Sequence, residues 1–246
     1  MSILAIARKE LALYFTSFLF YALVAVFLVP SGIFFYTSLD FFVRFGGMNL
    51  SRGLWQWQFY RMEEVLFPLL PLLTTRLFAE ERKLGTLELL WTYPVRDLEI
   101  IVGKYLACLA VVTAMILPTV AYPALLASFY PIDVGPLVAG YLGLWLLAAA
   151  FVACGLFFSS LTDSQFVAGA ITYGVLFFFW IMTWNEAALS EGTLRLLVPF
   201  SLFDRFEMFT RGAIDTKDVT YLVVFTTAFL AFTLLALDSR RWRGLK

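Results

Sequence analysis

Few side chains in this sequence can carry chemistry. The 246 residues include no histidine and two cysteines, Cys108 and Cys154, each of which lies within a long apolar run. Without imidazole, the chain lacks the usual near-neutral general base and the commonest metal ligand. We interpret the two thiols as small buried apolar side chains rather than as a disulfide or a metal pair. The sequence therefore predicts no catalytic residue, no metal site and no cofactor bound by this chain.

Short motifs that would supply energy or a hydrolytic centre are also missing. The fragment nearest to a phosphate-binding loop, Gly103-Lys104-Tyr105, has neither the upstream glycine nor the hydroxyl residue of that motif. The H-E-x-x-H and G-x-S-x-G motifs do not occur. The 18 basic and 18 acidic residues balance, which argues against a nucleic-acid partner. The sequence therefore gives this chain no ATPase of its own, and ATP hydrolysis by a separate protein is the simplest source of energy for transport.

The densest group of charged residues is the segment 79–97, which lies between strongly apolar stretches. It begins with Glu80-Glu81-Arg82-Lys83, and Gly85 can end the preceding helix. Thr86 can then cap the next helix, and Glu88 falls in the first turn, where the helix dipole favours an acid. The pattern predicts a short separate helix between two membrane spans.

That short helix has one apolar face. Leu87, Leu90 and Trp91 follow the i, i+3, i+4 spacing, and Pro94 ends the helix after about two turns. A helix of this length is unstable alone in water, so its apolar stripe needs a groove. The stripe can settle on the membrane surface or insert into a soluble partner, and the third interpretation is an ordinary charged turn. We favour the partner.

The remaining composition is that of an integral membrane protein. The chain is 61% hydrophobic and 15% charged, with a mean hydropathy of +0.84, whereas soluble domains are about 45–50% apolar. Because a bilayer-spanning helix needs about 20 mostly apolar residues, we predict an all-α polytopic protein with six transmembrane helices. The predicted spans are residues 18–39, 59–79, 97–129, 134–162, 164–185 and 219–237.

The second predicted span is the least regular. Its uncharged part, residues 65–75, is too short to cross a bilayer alone, so the span must include charged neighbours. We expect Arg61, Glu63 and Glu64 at its outer interface, where long side chains can reach water or pair. Two prolines, Pro68 and Pro71, are expected to kink it.

Residues 1–17 predict an amphipathic elbow helix on the membrane surface. Its apolar positions share one face, and its charged positions are expected on the other; a plain N-terminal extension of the first span is the alternative. The apolar positions are Ile3, Ala7, Leu11 and Tyr14, and the charged positions are Arg8, Lys9 and Glu10. A second short element lies within residues 186–212, whose apolar stretch is about half a span long and predicts an interfacial or re-entrant segment.

Charge distribution predicts the orientation of the chain. Six crossings put both termini on one side, and that side would hold eleven of the 18 basic residues, including the tail around Arg240-Arg241. The positive-inside rule then places the termini and residues 80–95 in the cytoplasm. Small residues spaced by four allow close helix approach, either within one subunit or at a dimer seam. These pairs are Ala149 with Ala153, Ala150 with Cys154, and Ala170 with Gly174.

Four parts of the sequence together resemble a known family. The most specific is Arg76-Leu77-Phe78 with Glu80-Glu81-Arg82, followed by Gly85-Thr86-Leu87-Glu88-Leu89-Leu90 and Pro94. The others are Ala7-Arg8-Lys9-Glu10-Leu11, the stretch Pro199-Phe200-Ser201-Leu202-Phe203-Asp204-Arg205-Phe206 with Arg211-Gly212-Ala213-Ile214, and the basic tail around Arg240-Arg241. They resemble permease subunits of type-two ABC transporters. More narrowly, they are similar to the branch that contains the gliding-motility-associated permease and the permease of the nitrous-oxide-reductase copper-maturation cluster.

The resemblance implies one permease domain over residues 1–246, with two subunits side by side in the bacterial inner membrane, as a homodimer or with a paralogue. It implies that residues 86–93 form a coupling helix that docks on a separate cytoplasmic ABC ATPase, which would hold the ATP and Mg. It also implies that the short element within residues 186–212 is re-entrant and lies on the outer side. The gliding-motility relatives imply an additional membrane-anchored periplasmic subunit. The implied coupling residues are Glu80, Glu81, Arg82, Gly85, Thr86, Leu87, Glu88, Leu90, Trp91 and Pro94.

On this interpretation the chain is a non-catalytic subunit that couples ATP hydrolysis to export or to mechanical transmission across the membrane. The alternative is a secondary transporter or channel that works alone. Against that alternative, no acid or base lies in the middle of the last four predicted spans, where an ion-coupled carrier usually keeps one.

Overall fold

The computed structural model describes residues 3–45, 50–85, 96–184 and 201–243, and in these ranges the only regular elements are helices. In chain order the α-helices are α1 (Ile3–Phe15), α2 (Phe18–Phe45), α3 (Leu50–Thr74), α4 (Ala79–Lys83), α5 (Asp97–Ile116), α6 (Ala121–Ala127), α7 (Val134–Leu161), α8 (Gln165–Trp184), α9 (Leu202–Thr210) and α10 (Thr216–Arg243). A 3₁₀ turn, Leu117–Val120, joins α5 to α6. The predicted all-α class is confirmed.

Five helical segments of the described chain are long and apolar enough to cross a membrane: Phe18–Arg44, Asp97–Ala127, Val134–Leu161, Gln165–Met182 and Thr216–Ser239. They match five of the six predicted spans. The remaining one, the second predicted span, corresponds to α3. This helix has 25 residues but is not among the five, since Arg61, Glu63 and Glu64 reduce its hydropathy. The count of six spans therefore stays a prediction.

The core of the bundle is built on α7, which is mostly buried and packs against α3, α5, α8, α9 and α10. Close approach of α3 to α7 depends on glycine, because a Cβ at Gly155 would lie 2.0 Å from Oγ1 of Thr74. The small residues of α7 that we had predicted at a helix contact, from Ala149 to Cys154, are buried within this one chain. By contrast, Ala170 and Gly174 of α8 are exposed.

Several helix bounds differ from the predictions: α2 ends at Phe45 and not at residue 39, and α10 covers Thr216–Arg243 and not 219–237. The helix predicted over residues 59–79 begins earlier, at Leu50, and ends earlier, at Thr74. Four residues in turns then precede α4. Within the span predicted over residues 97–129, the helix is interrupted: Pro118 lies in the 3₁₀ turn and Pro123 in α6. Residues 186–200 of the predicted re-entrant segment lie outside the described residues, and α9 forms most of the rest of that segment.

Candidate functional site

The functional candidate is a junction where α1, the end of α3, α4 and the start of α5 meet. The helix α1 packs along α5, and it does so closely, because a Cβ at Gly103 would lie 2.8 Å from Cγ2 of Ile6. The buried hydroxyl of Tyr14 donates a hydrogen bond of 3.1 Å to the carbonyl oxygen of Leu73 at the end of α3. Burial raises the pKa of Tyr14 well above its ordinary value, so the side chain stays a neutral donor.

A buried lysine holds this junction together. The Nζ of Lys104, on the second turn of α5, lies 2.9 Å from Oε1 of Glu10 in α1 and 2.9 Å from Oε2 of Glu81 in α4. It also lies 5.3 Å from the centre of the Phe78 ring, within cation–π range. The side chain of Lys104 is 1% exposed, so this cation is stable only because two carboxylates face it.

A second lysine balances the cluster. Nζ of Lys9 lies 3.5 Å from Oε1 of Glu81, with half of the lysine side chain in solvent. Two cations and two carboxylates therefore meet, and the group as a whole is neutral. We call these four residues, Lys9, Glu10, Glu81 and Lys104, the ion cluster.

The position of Glu10 corrects a prediction. We expected Glu10 with Arg8 and Lys9 on the polar face of the elbow helix, and Arg8 and Lys9 are indeed exposed, whereas Glu10 is buried. Positions 6, 10 and 14 follow one another by one turn, so Glu10 shares the inward face with Ile6 and Tyr14. The sequence alone could not show this, because the cation that compensates Glu10 lies 94 residues away.

The break between α3 and α4 is stabilised by Ser159, at the end of α7. Its hydroxyl accepts hydrogen bonds from the backbone N–H groups of Phe78 (3.0 Å) and Ala79 (3.1 Å) and donates one to the carbonyl oxygen of Thr75 (2.9 Å). Ser159 is fully buried, so these backbone groups would otherwise lack a partner in an apolar surrounding. Sequence reasoning missed this residue; its one signal was a Ser-Ser pair at the end of a long apolar run.

Arg82 ties α4 to the connection between α7 and α8. Its Nη2 donates to the carbonyl oxygen of Ser160 at 2.6 Å, and its Nε lies 3.1 Å from Oδ1 of Asp163. The predicted coupling residues Glu81 and Arg82 thus bind elements of their own chain. Glu80 is more exposed, and its carboxylate lies 3.3 Å from Nε of Arg76.

These contacts hold the chain on both sides of residues 86–95. Glu81 lies before that segment and Lys104 after it, and the two are joined by the ion pair. Gly85 has a φ of +70° and follows the C-cap residue Leu84 of α4. It therefore ends α4, and not the second predicted span, which stops earlier, at Thr74. The predicted coupling residues Thr86, Leu87, Glu88, Leu90, Trp91 and Pro94 lie outside the described residues.

A groove of about 240 Å³ runs beside the ion cluster, between α1 and α4. Lys9, Arg76 and Glu80 form its charged rim, and Leu84 closes one side with an apolar side chain that is 68% exposed. Over the described ranges, acids and thiols nowhere gather in a set that could hold a metal ion. The groove therefore presents charge and exposed apolar surface together.

The predicted outer group lies elsewhere. Arg61, Glu63 and Glu64 were expected at the end of the second span, but they lie near the middle of α3, because that helix begins at Leu50. Arg61 and Glu64 form an ion pair of 2.7 Å, and Glu63 is buried. From Arg61 to Thr74 the helix runs about 20 Å at 1.5 Å per residue, so this group is remote from the ion cluster.

Comparison with known proteins identifies the family. A family model described as ABC-2 family transporter protein matches residues 4–242, which include every helix from α2 to α9 and nearly all of α1 and α10. No curated protein matches the chain. The apolar helices and this match make the chain a multi-pass membrane protein, and it belongs to the ABC-2 transporter family.

Proposed function

We propose that this chain is the permease subunit of an ATP-driven type-two ABC transporter. In this proposal residues 86–93 are the coupling helix, which docks in a cleft on a separate cytoplasmic ABC ATPase that binds ATP and Mg. The observation that carries the proposal is the ion pair between Glu81 and Lys104, which joins the two sides of this segment. Because the chain is held on both sides of this segment, a force that the ATPase exerts on it is transmitted to the membrane helices.

The contacts of the junction connect residues 86–93 to the helices of the bundle, so they can transmit a force from the ATPase. A force on residues 86–93 acts on α4 before them and on α5 after them. From there the ion cluster leads to α1, and Ser159 and Arg82 lead to α7. Because these links join helices at the centre of the bundle, closure of the ATPase would move the spans as rigid bodies. The outcome would be export or mechanical transmission across the membrane.

The proposal includes six spans, with α3 as the second. It has 25 residues, about 37 Å of helix, and packs against α2, α7 and α8, which are all long enough to cross a bilayer. Both termini and the junction would then face the cytoplasm of the inner membrane, as the distribution of basic residues predicts. The re-entrant segment would lie on the outer side.

The proposed complex contains a second permease subunit, as a homodimer or with a paralogue. The exposed pair Ala170 and Gly174 on α8 supports it, since small residues spaced by four allow close helix contact in lipid. The likeness to the gliding-motility and copper-maturation permeases supports a place in that branch, and with it a membrane-anchored periplasmic subunit. The bilayer is the remaining partner.

The test is co-purification with the cassette ATPase encoded in the same operon. Leu90→Asp places a charge on the predicted apolar stripe, and we expect binding to weaken roughly 30-fold, because burying an unpaired charge costs about 2 kcal/mol or more. Thr92→Asp is the matched control: it adds the same charge to the opposite face of the same predicted helix. We expect it to bind normally.

Two results would count against the proposal. Equal ATPase capture by Leu90→Asp and the unmodified chain would show that the stripe does not dock. Movement of solute through vesicles that contain this chain alone would favour the stand-alone transporter or channel.

A further inference from the structure

A cavity of about 550 Å³ lies between α2 and α3, far from the ion cluster. Its volume is in the range of small-molecule sites, which are typically about 300–1,000 Å³ and mostly apolar with a few polar groups. Its walls carry four aromatic rings, two hydroxyls and one cation. These residues are Phe34, Phe41, Phe42 and Trp57, then Thr37 and Ser38, and Arg61.

The cation of the cavity is held in place before any ligand arrives. The guanidinium of Arg61 lies 4.7 Å from the centre of the Trp57 ring and 5.4 Å from that of Phe34. Its Nη1 donates to Oε2 of Glu64 at 2.7 Å. A guanidinium has five N–H donors, and no second acceptor for them is found among the described residues. Donors therefore remain for a ligand.

The hydroxyl of Thr37 does not compete for that ligand. It already donates to the carbonyl oxygens of Ile33 and Phe34 within its own helix. Apart from Arg61 and the hydroxyl of Ser38, the cavity therefore presents mainly aromatic carbon. Such a wall suits an apolar group, and the guanidinium suits a phosphate or carboxylate.

The depth of the Arg61–Glu64 pair in the membrane restricts which groups can surround it. With α3 as a span, Arg61 lies about 20 Å from Thr74 along the helix, well inside a hydrocarbon core of about 30 Å. Yet the side chains of Arg61 and Glu64 are 32% and 48% exposed in the single chain. Charged groups at that depth face a hydrated path or the interior of a bundle, and not acyl chains.

We propose that this site binds the transported substrate, and that the substrate is a zwitterionic amphiphile, with a phosphate or carboxylate beside an amine. This inference rests on the proposed function. The anionic group binds Arg61, and the apolar body lies against the aromatic rings. Glu64 does not itself line the cavity, but its carboxylate pairs with Arg61 at 2.7 Å, so the amine of a ligand bound to Arg61 can reach it. A head group of no net charge is favoured because the Arg61–Glu64 pair is itself neutral, and an unpaired charge at this depth is costly.

The test uses the full-length chain in dodecyl maltoside and three lipids with the same photoreactive acyl chain. These probes are phosphatidylethanolamine, which is zwitterionic with a primary amine, phosphatidylglycerol, which is anionic, and diacylglycerol, which has no phosphate. Cross-linked peptides are identified by mass spectrometry. We expect phosphatidylethanolamine to label residues 34–42 and 57 most strongly, and an excess of inorganic phosphate to leave this labelling unchanged.

Three variants separate the contributions. Arg61→Gln should reduce phosphatidylethanolamine labelling roughly tenfold, the usual effect of losing a charge-assisted hydrogen bond. Glu64→Gln should remove the preference for phosphatidylethanolamine over phosphatidylglycerol. Thr37→Trp should block the cavity while it keeps both charges. The matched control is Arg44→Gln, because Arg44 also forms a pair on α2, with Asp40, but lies outside the cavity.

Several outcomes would overturn the inference. These are equal labelling by diacylglycerol, displacement of the lipid by inorganic phosphate, a preference for phosphatidylglycerol, and unchanged labelling of Arg61→Gln or Thr37→Trp. The proposed function fails separately: a chain that labels as expected but captures no ATPase refutes the coupling alone, and a chain that captures the ATPase but does not label refutes the substrate site alone.

Discussion

Replacing Lys104 by methionine tests the junction directly. Methionine is also long and flexible, so the change removes the charge with little change in shape. In the protein the ion cluster is neutral, with two lysines and two carboxylates. In the variant Glu10 and Glu81 share Lys9 alone, which is half exposed and contacts Glu81 only. One carboxylate is then buried without compensation.

The expected cost follows from that burial. Lys104 is 1% exposed and Glu10 is 8% exposed, so solvent screens their interaction little. Removing one partner of a buried ion pair typically destabilises a protein by about 3–5 kcal/mol. The exposed contact of Lys9 contributes at most about 1 kcal/mol and cannot compensate. We therefore expect Lys104→Met to lose about 3–5 kcal/mol of the free energy of unfolding.

A double variant distinguishes the effect of losing the charge balance of the ion cluster from the effect of losing side-chain packing at position 104. Glu10→Met combined with Lys104→Met leaves Lys9 paired with Glu81 and no uncompensated buried charge, so it should recover much of the lost stability. The free energy of unfolding is measured by SDS titration in mixed micelles. The reasoning is wrong if Lys104→Met unfolds within about 1 kcal/mol of the unmodified chain, or if the double variant is the less stable of the two.

Two further predictions concern the contacts of α7 and use the same titration. Ser159→Ala should cost about 1–3 kcal/mol, because buried backbone N–H groups lose their acceptor; Ser160→Ala, one residue on, is the control, and equal losses from both would contradict the role of Ser159. Gly155→Ala should cost about 1–3 kcal/mol, because the added methyl group overlaps Thr74. Gly32→Ala is its control, since the nearest atom to the added Cβ is the hydroxyl oxygen of Tyr122, at an ordinary contact distance of 3.4 Å, and a Gly155→Ala chain as stable as this control would show that α3 can shift at no cost.

Features that depend on neighbours along the chain could be predicted well. The apolar runs located five helices to within a few residues at most ends, and Gly85 marked a helix stop, because hydropathy and backbone freedom are local properties. The bounds of α3 were predicted less well. Charges at Arg61 to Glu64 reduced its apolar signal, and the hydrogen bonds that end it at Thr74 come from Ser159, 84 residues away.

The candidate site could be predicted only in part. Glu81 and Arg82 were chosen for their place in a charged segment, but the sequence did not indicate that they bind their own chain. Lys104 was noted only as a charge near the start of a span. Its burial depends on two carboxylates in α1 and α4, and the amino-acid sequence of α5 gives no information about either of them.

The sequence by itself determined that this chain is a membrane protein, is helical, and carries a short charged segment between two spans, because each of these follows from the residue types within one continuous stretch of the chain. Only the tertiary structure decided which charges are buried and what compensates them. A carboxylate such as Glu10 is stable inside the protein when a cation from another helix reaches it, and the free energy of that contact belongs to the packed bundle and not to either helix alone.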